Sequence, residues 1–566
     1  MDGAKGNIDW VTTAGAGVFY VIVLLTGFIA AKVAIARGSA TSKDTPANQV
    51  MVGYRDFGWI VSIATLTASW IGPTAICAGA ERTYTHGILP GSVPSFSMAL
   101  SLLLGGLLIA KQMRAAKYVT IMDPFQQKYG KKVGVLFVIS AFIGETLCCA
   151  ASLNVLGATL SVIANIDRTF SIIASGFIAV SYTIFGGIFS VAYTDIVQIV
   201  SVFIGTAIAV PFAATNNAFH RMDMTELFYG TETGLKKTTL VAEIDTFLLV
   251  AFGTFCWQCY CQRILATKST RVAVVGSAIS CFGAIALSIP AIFMGAIAKS
   301  VGNFDSFLNL NDKLFEFQFL FHTDWNETSH GEIQENEAHF VMALSLRYLC
   351  PNWVAFLGLG AIAAATMSTA DSCILAAASL FTTNIYKAVI RPNSSEKEML
   401  WSIRCVIGIV GTIGAIVAIV GKSVYQLTIF SNELPYLVVF PQLICLLYFD
   451  FTNTYGAIAG YATGVILRFG GGEPSLGWKG FIAYPGNYVD EDGHDVRWFP
   501  VKAFATLCDF LVVVSVSLLT RQLYNMRIIT DKMDIAHCFH KKQKETVIEL
   551  SEEIGNKPQR QRLIKH

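Results

Sequence analysis

The 566-residue sequence predicts an all-α polytopic membrane protein. About thirteen transmembrane helices are expected, ten of them in two inverted five-helix halves whose first helices are broken. Three observations carry this. The chain is 54% hydrophobic and 14% charged, with mean hydropathy +0.54, whereas soluble domains carry about 25% charged residues. Apolar runs of span length, ~20 residues, recur from end to end. Two of those runs are interrupted near their centres. Segments of alternating polarity, the mark of a transmembrane barrel, are absent.

In chain order, residues 1–58 form an N-terminal segment with a leading helix over 15–36. The first half, 59–214, has spans at 59–78, 88–110, 133–163, 170–186 and 191–214. The second half, 245–449, has spans at 245–263, 272–298, 354–385, 401–421 and 425–449. An odd number of spans per half inverts the second half relative to the first. Two additional helices, at 455–469 and 500–522, occupy 455–524. The tail, 525–566, is polar and charged; KKQKETVIELSEEIG offers a short helix and a place for trafficking adaptors, though a solvated tail is the plainer reading. No cleavable signal peptide is expected, since MDGAKGNIDW is short and polar and the first apolar run already has span length.

Lysine and arginine in short loops orient the bundle. Lys111, Arg114, Lys117, Lys128, Lys131 and Lys132 fall in one loop, Arg263, Lys268 and Arg271 in another, and Lys387, Arg391 and Lys397 in a third. These loops alternate correctly if all are cytoplasmic, which puts the N-terminus outside and the basic tail inside. Asn326, in the sequon Asn326-Glu327-Thr328, then lies in an outside loop and is a glycosylation candidate. The sequon at Asn393 falls inside and is expected to stay unmodified.

The first interruption is Gly72-Pro73 in WIVSIATLTASWIGPTAICAG. Proline removes a backbone donor and glycine weakens the helix. Broken backbone at membrane depth is tolerated where protein or a wet cavity satisfies it, and transporters build sites there. The matching interruption is expected near Gly253 in LLVAFGTFCWQCYCQR. Carbonyls freed between Ala68 and Ile71, together with the adjacent hydroxyls of Ser368 and Thr369, would give a sodium ion hard oxygen ligands without a carboxylate. The competing reading has both hydroxyls bonded to their own helix.

Trp70 and Trp257 stand beside the two breaks. A quaternary ammonium offers no N–H donor, so ring faces must recognise it, at ~0.5–2 kcal/mol each. Intramembrane carboxylates are costly and point to function. Asp371 lies three residues after Ser368. Asp195 is a cap or an ion-exit group. Glu145 either balances a cationic substrate or pairs with a basic neighbour such as Arg263. The cysteines of CWQCYC have no histidine or further cysteine pair beside them, so no metal binding is expected there. No phosphate-cradling loop and no nucleophile elbow appears, so the chain reads as a transporter rather than an enzyme or ATP-driven pump. The scattered basic residues do not suggest a nucleic-acid partner.

The segments KYVTIMDPFQQKYGKK, GGIFSVAYTDIVQ, CWQCYCQRIL, MSTADSCILAAASLFTTNIY, VVFPQLICLLYF, TNTYGAIAGYATG and LRFGGGEP resemble the sodium:solute symporter family, its choline-transporting members above all. The likeness runs from about residue 12 to 525. It implies a LeuT-type fold and sodium- and chloride-dependent choline uptake across the plasma membrane. In animals that uptake supplies acetylcholine synthesis, which extends the expected location to presynaptic and synaptic-vesicle membranes. No prosthetic cofactor is implied; Na+ and Cl− are co-transported. Carried over by motif, the sodium ligands are Ala68, Ile71, Ala365, Ser368 and Thr369, and Asp195 is the aspartate near the inner sodium exit. Trp70 and Trp257 match aromatic positions flanking the choline site. Where the choline-transporting members have further aromatic residues, this chain has Met98, Cys148 and Thr428. Another small organic solute is therefore the alternative substrate. Ile188 in GGIF is a conservative departure.

Overall fold

The computed structural model describes residues 45–164, 166–216, 237–299, 335–421, 423–473, 478–486 and 499–529, with short pieces elsewhere. The expected leading helix lies mostly outside these, although residues 25–30 are helical and Gly27 lies against Tyr182 and Ser190. Asn326 and nearly all of the tail also lie outside the described residues.

In chain order the principal helices are α1 (Pro46–Val52), α2 (Trp59–Trp70), α3 (Gly79–His86), α4 (Ile88–Gly105), α5 (Lys131–Ala164) and α6 (Arg168–Ala214). There follow α7 (Lys237–Gly253), α8 (Gln258–Ala266), α9 (Thr270–Ala298), α10 (Asn352–Leu380), α11 (Glu396–Val420), α12 (Val424–Leu434), α13 (Phe440–Tyr448), α14 (Thr454–Gly470) and α15 (Val501–Asn525). Among the described residues strand is confined to short two-residue ladders.

Among the described residues eight helices are long and apolar enough to cross a membrane, and ten when each of two bent pairs counts as one span. α6 has 47 residues; at 1.5 Å per residue it would run ~70 Å if straight, more than twice a ~30 Å hydrocarbon core. Gly187 divides it, with φ 53° and ψ −147°. That left-handed backbone favours glycine, and a side chain there would meet the Val50 carbonyl oxygen at 2.5 Å. The two pieces match the separate spans expected at 170–186 and 191–214. The 17-residue α14 is shorter than the length used for that count. The division of α6, this short helix and the leading helix separate the count of ten from the expected thirteen.

The outward faces carry large apolar side chains such as Ile60, Phe177, Phe282 and Val420, as lipid contact requires. The centre is α10, buried at every position from 361 to 380. It packs on α5, α6, α8 and α2. Small side chains such as Ala361, Ala364 and Ala365 let these backbones approach. Gly205, for example, lies so close to α10 that a methyl group there would meet the Leu357 carbonyl oxygen at 2.5 Å.

Both interrupted spans are broken. α2 and the helical segment from Thr74 to His86 are bent by 50°. α7 and α8 are bent by 47°. The first break falls at Ile71-Gly72-Pro73, as the sequence predicts. The second falls near Gly253, as expected: the α-helix ends at that residue, which keeps helical angles, a tight turn over Thr254–Cys256 follows, and the chain turns extended at Trp257 (φ −73°, ψ 144°). No proline marks that point. Its cause is tertiary: the Cys259 N–H, in the first turn of α8, donates to Glu145 Oε1 at 3.0 Å, and a carboxylate at a helix N-terminus is favoured by both hydrogen bond and dipole.

Candidate functional site

The first broken span delivers its loose end to α10. Thr369 Oγ1 donates to the Ser69 carbonyl at 3.1 Å, and more weakly to Ala365 O at 3.4 Å. Gly72 makes this approach feasible, since an added Cβ there would stand 1.9 Å from Thr369 Oγ1. The Ile71 N–H reaches Ala68 O only at 3.4 Å. Ala68, Ile71, Ala365, Ser368 and Thr369 are all buried. The Ser368 hydroxyl donates to Asp195. Both hydroxyls thus give their protons to acceptors, leaving oxygen lone pairs for a cation.

Asp195 caps no helix here: its partners are side chains of three other elements. It accepts from the hydroxyls of Thr65 and Ser368 and pairs with Arg263 Nη2 at 3.2 Å. Arg263 places four of its five N–H bonds: Nε is shared between Thr65 O and Oγ1 at 3.1 Å, Nη1 donates to Cys259 O at 3.1 Å, and Nη2 donates to Ser372 Oγ at 2.5 Å as well as to Asp195. Ser69 Oγ lies 3.5 Å from Ser372 Oγ. One guanidinium from α8 therefore ties the two broken spans to α6 and α10. Burial of an ion pair is tolerated when added hydrogen bonds satisfy its charges, and here the pair is inaccessible on both sides.

Glu145 does not take Arg263 as its hydrogen-bonded partner; Asp195 does. Glu145 Oε1 caps α8, while its buried Oε2 accepts no hydrogen bond among the described residues. Asp371 accepts from the Tyr182 hydroxyl through Oδ2, and its Oδ1 is likewise unmatched.

The aromatic candidates meet. The Trp70 and Trp257 rings are 6.4 Å apart at 51°, and Trp70 meets Tyr260 edge-on at 5.5 Å. Trp70 Nε1 donates to Ser101 Oγ at 2.8 Å, and Ser101 Oγ to Met98 O at 2.6 Å, so Met98 lies one turn before the group that fixes the ring. Trp257 Nε1 and Thr428 Oγ1 are buried without a partner among the described residues. Cys148 is buried on α5 beside Cys373.

Sequence reading passed over Tyr260, Thr65, Ser372 and Tyr182. Tyr260 had a signal, three residues after Trp257 and so on one face of α8; lone hydroxyls in apolar helices leave none. It also passed over a layer at the far end of the first span. There Arg82 pairs with Glu243 and lies 4.5 Å over the Tyr425 ring, and Ser423 Oγ donates to Glu81 Oε1 at 3.0 Å. This layer ties α3 to α7 and α12.

Two spans broken at mid-depth around buried hydroxyls, with rings beside both breaks, define a secondary transporter of the inverted-repeat type. Comparison with known proteins narrows the class. Residues 50–464 match the model of the sodium:solute symporter family, and the chain belongs to that family. It is 40% identical over 526 residues to the human high affinity choline transporter 1, covering 92% of this chain and 86% of the relative. To the Caenorhabditis elegans high-affinity choline transporter 1 it is 38% identical over 528 residues, covering 92% and 87%. A Na+-coupled sialic acid symporter, solved substrate-bound and outward-open, superposes with TM-score 0.67 at 14% identity over 90% of this chain and 98% of that one, which supports the LeuT-type architecture.

Proposed function

We propose that the protein is a sodium-coupled symporter that imports choline across the plasma membrane. The observation that carries this is the pair of rings at the two breaks, Trp70 and Trp257, with Tyr260 against the first, in a chain so close to choline transporters. Rings attract a trimethylammonium without needing a donor. Choline's hydroxyl would find the free Trp257 Nε1 or Thr428 Oγ1, and the unmatched Oε2 of Glu145 lies at the N-terminus of the same half-helix as Trp257 and Tyr260. Ala68, Ile71, Ala365, Ser368 and Thr369 hold the sodium ion, and Asp195 and Asp371 lie along its path. Residues 59–214 and 245–449 act as the two repeats around this site. Chloride dependence, an outside N-terminus, a cytoplasmic C-terminus, glycosylation at Asn326, adaptor binding to the tail and service to acetylcholine synthesis complete the reading.

Radiolabelled choline uptake in cells expressing the chain tests it. Uptake should require sodium, and Ser368→Ala and Thr369→Ala should raise the sodium concentration for half-maximal transport. Equal uptake in an impermeant cation would overturn sodium coupling. Met98, Cys148 and Thr428 favour a second reading, a sodium-coupled symporter of another small organic solute. Competition by a panel of amines, sugars and carboxylates separates the two.

A further inference from the structure

Three side chains that are distant in sequence converge where the second broken span restarts. Glu145 from α5, Cys259 from α8 and Cys373 from α10 are buried, and their ligating atoms all lie within 4.8 Å of one another. Among the described residues this is the one such group of cysteine, histidine or carboxylate side chains. The thiols are free. Glu145 uses one oxygen to cap α8 and leaves Oε2, fully buried, without a hydrogen bond. Cys148, one turn after Glu145, adds a third thiol beside Cys373.

We propose that Glu145, Cys259 and Cys373, with Cys148 as a further donor, form a binding site for a soft divalent cation of the zinc and cadmium class. Two sulfurs and a carboxylate oxygen suit such an ion far better than sodium or calcium. Bonds of ~2.0–2.3 Å put donors in a filled tetrahedral site roughly 3.5–4 Å apart, so modest side-chain rotation closes the trio. Binding replaces two S–H bonds with two S–metal bonds and releases two protons to solution. The two thiolates and the carboxylate leave one excess negative charge, and Arg263, hydrogen-bonded to the Cys259 carbonyl, is the nearby cation. Because the ligands come from three helices, the ion clamps α8 to α5 and α10. A half-helix that must shift during alternating access is then held. The sequence reading expected no metal at CWQCYC for want of a histidine or further cysteine pair beside it; Glu145 and Cys373 come from elsewhere in the chain.

The test is titration of the purified full-length chain, kept reduced in detergent, with Cd2+, following the ultraviolet thiolate-to-cadmium charge-transfer band. Wild type should saturate at one equivalent, and Zn2+ should compete. Cys259→Ser/Cys373→Ser, which retains the other cysteines, should lose the band, and Glu145→Gln should weaken binding by roughly tenfold or more. No saturable band in wild type, or an unchanged band in the double variant, would overturn the site. The wild-type titration decides even if a variant fails to fold, and it needs no transported substrate, so its outcome is independent of the choline reading. In cells, Cd2+ should block sodium-dependent uptake reversibly by chelator; equal sensitivity in the double variant would overturn the clamp.

Discussion

The two broken spans bend by nearly the same angle, 50° and 47°, and offer opposite chemistry. The first turns oxygen towards the core: the Ser69 carbonyl and the backbone at Gly72 meet Thr369, Ser69 Oγ faces Ser372, and Thr65 shares Asp195 with Ser368. The second turns rings and sulfur: Trp257, Tyr260 and Cys259. They also break for different reasons. The first is broken by its own sequence, Gly72-Pro73, whereas the second is broken by a partner, the carboxylate of Glu145 seated on the first turn of α8. A break written locally survives changes around it, while a break imposed by packing depends on its neighbour. Hard oxygen for a small cation and soft, polarisable groups for a large one fit a site that takes both together.

The strongest challenge to this pairing is Arg263→Ala, which removes the guanidinium joining both breaks. It leaves Asp195 buried and uncompensated, a loss of ~3–5 kcal/mol. A detergent-purified sample should melt far below wild type, and adding Asp195→Asn should recover part of the loss; a strictly additive double variant would mean the two do not act together. Gly72→Ala comes next. Its methyl group collides with Thr369, and overpacking of ~1–3 kcal/mol should cost sodium-dependent uptake roughly tenfold while the protein still reaches the cell surface. Normal uptake would detach the first break from the ion. The tryptophans then sharpen the contrast. Trp70→Phe gives up the bond to Ser101, ~1 kcal/mol, and should lower the melting temperature, whereas Trp257→Phe removes an N–H with no protein partner and should lower it less. Equal losses would contradict the open-donor view of Trp257.

The smallest expected effect concerns the turn Glu335–Phe340, which packs on α3 beyond the membrane-spanning core. Burial, assisted by Arg168, lowers the His339 pKa from 6.5 to about 4. Between those values the unfolded chain binds the proton and the folded chain does not, so stability falls as pH drops from 6.5 towards 4. Melting against pH should show that slope, and His339→Gln should flatten it.

Much of the site was legible because its chemistry is local. Gly72-Pro73 announces a break, and Ser368-Thr369 announces paired hydroxyls in an otherwise alanine-rich helix. What was not legible depends on which helices touch. Gly253 marks the neighbourhood of the second break, yet the chain turns extended only at Trp257 because Glu145, more than a hundred residues earlier, holds the next half-helix by its end. Arg263 reads as a loop residue until Asp195, Thr65 and Ser372 are found around it. The length of α6 shows the reverse case, where Gly187 in GGIF correctly divides two spans that the continuous helix conceals.

The buried guanidinium of Arg263 also bears on how the chain is made. A charged residue at the centre of an isolated span costs ~2.5–3.5 kcal/mol to insert. Asp195 is synthesised 68 positions before Arg263, and Ser368 follows Asp195 only after 173. During translation the aspartate must therefore wait, first for its counter-charge and then for its hydroxyl partner. Until α10 emerges the polar centre is unfinished, and truncations ending before residue 352 should be held by the quality-control machinery that recognises unpaired charge in the bilayer.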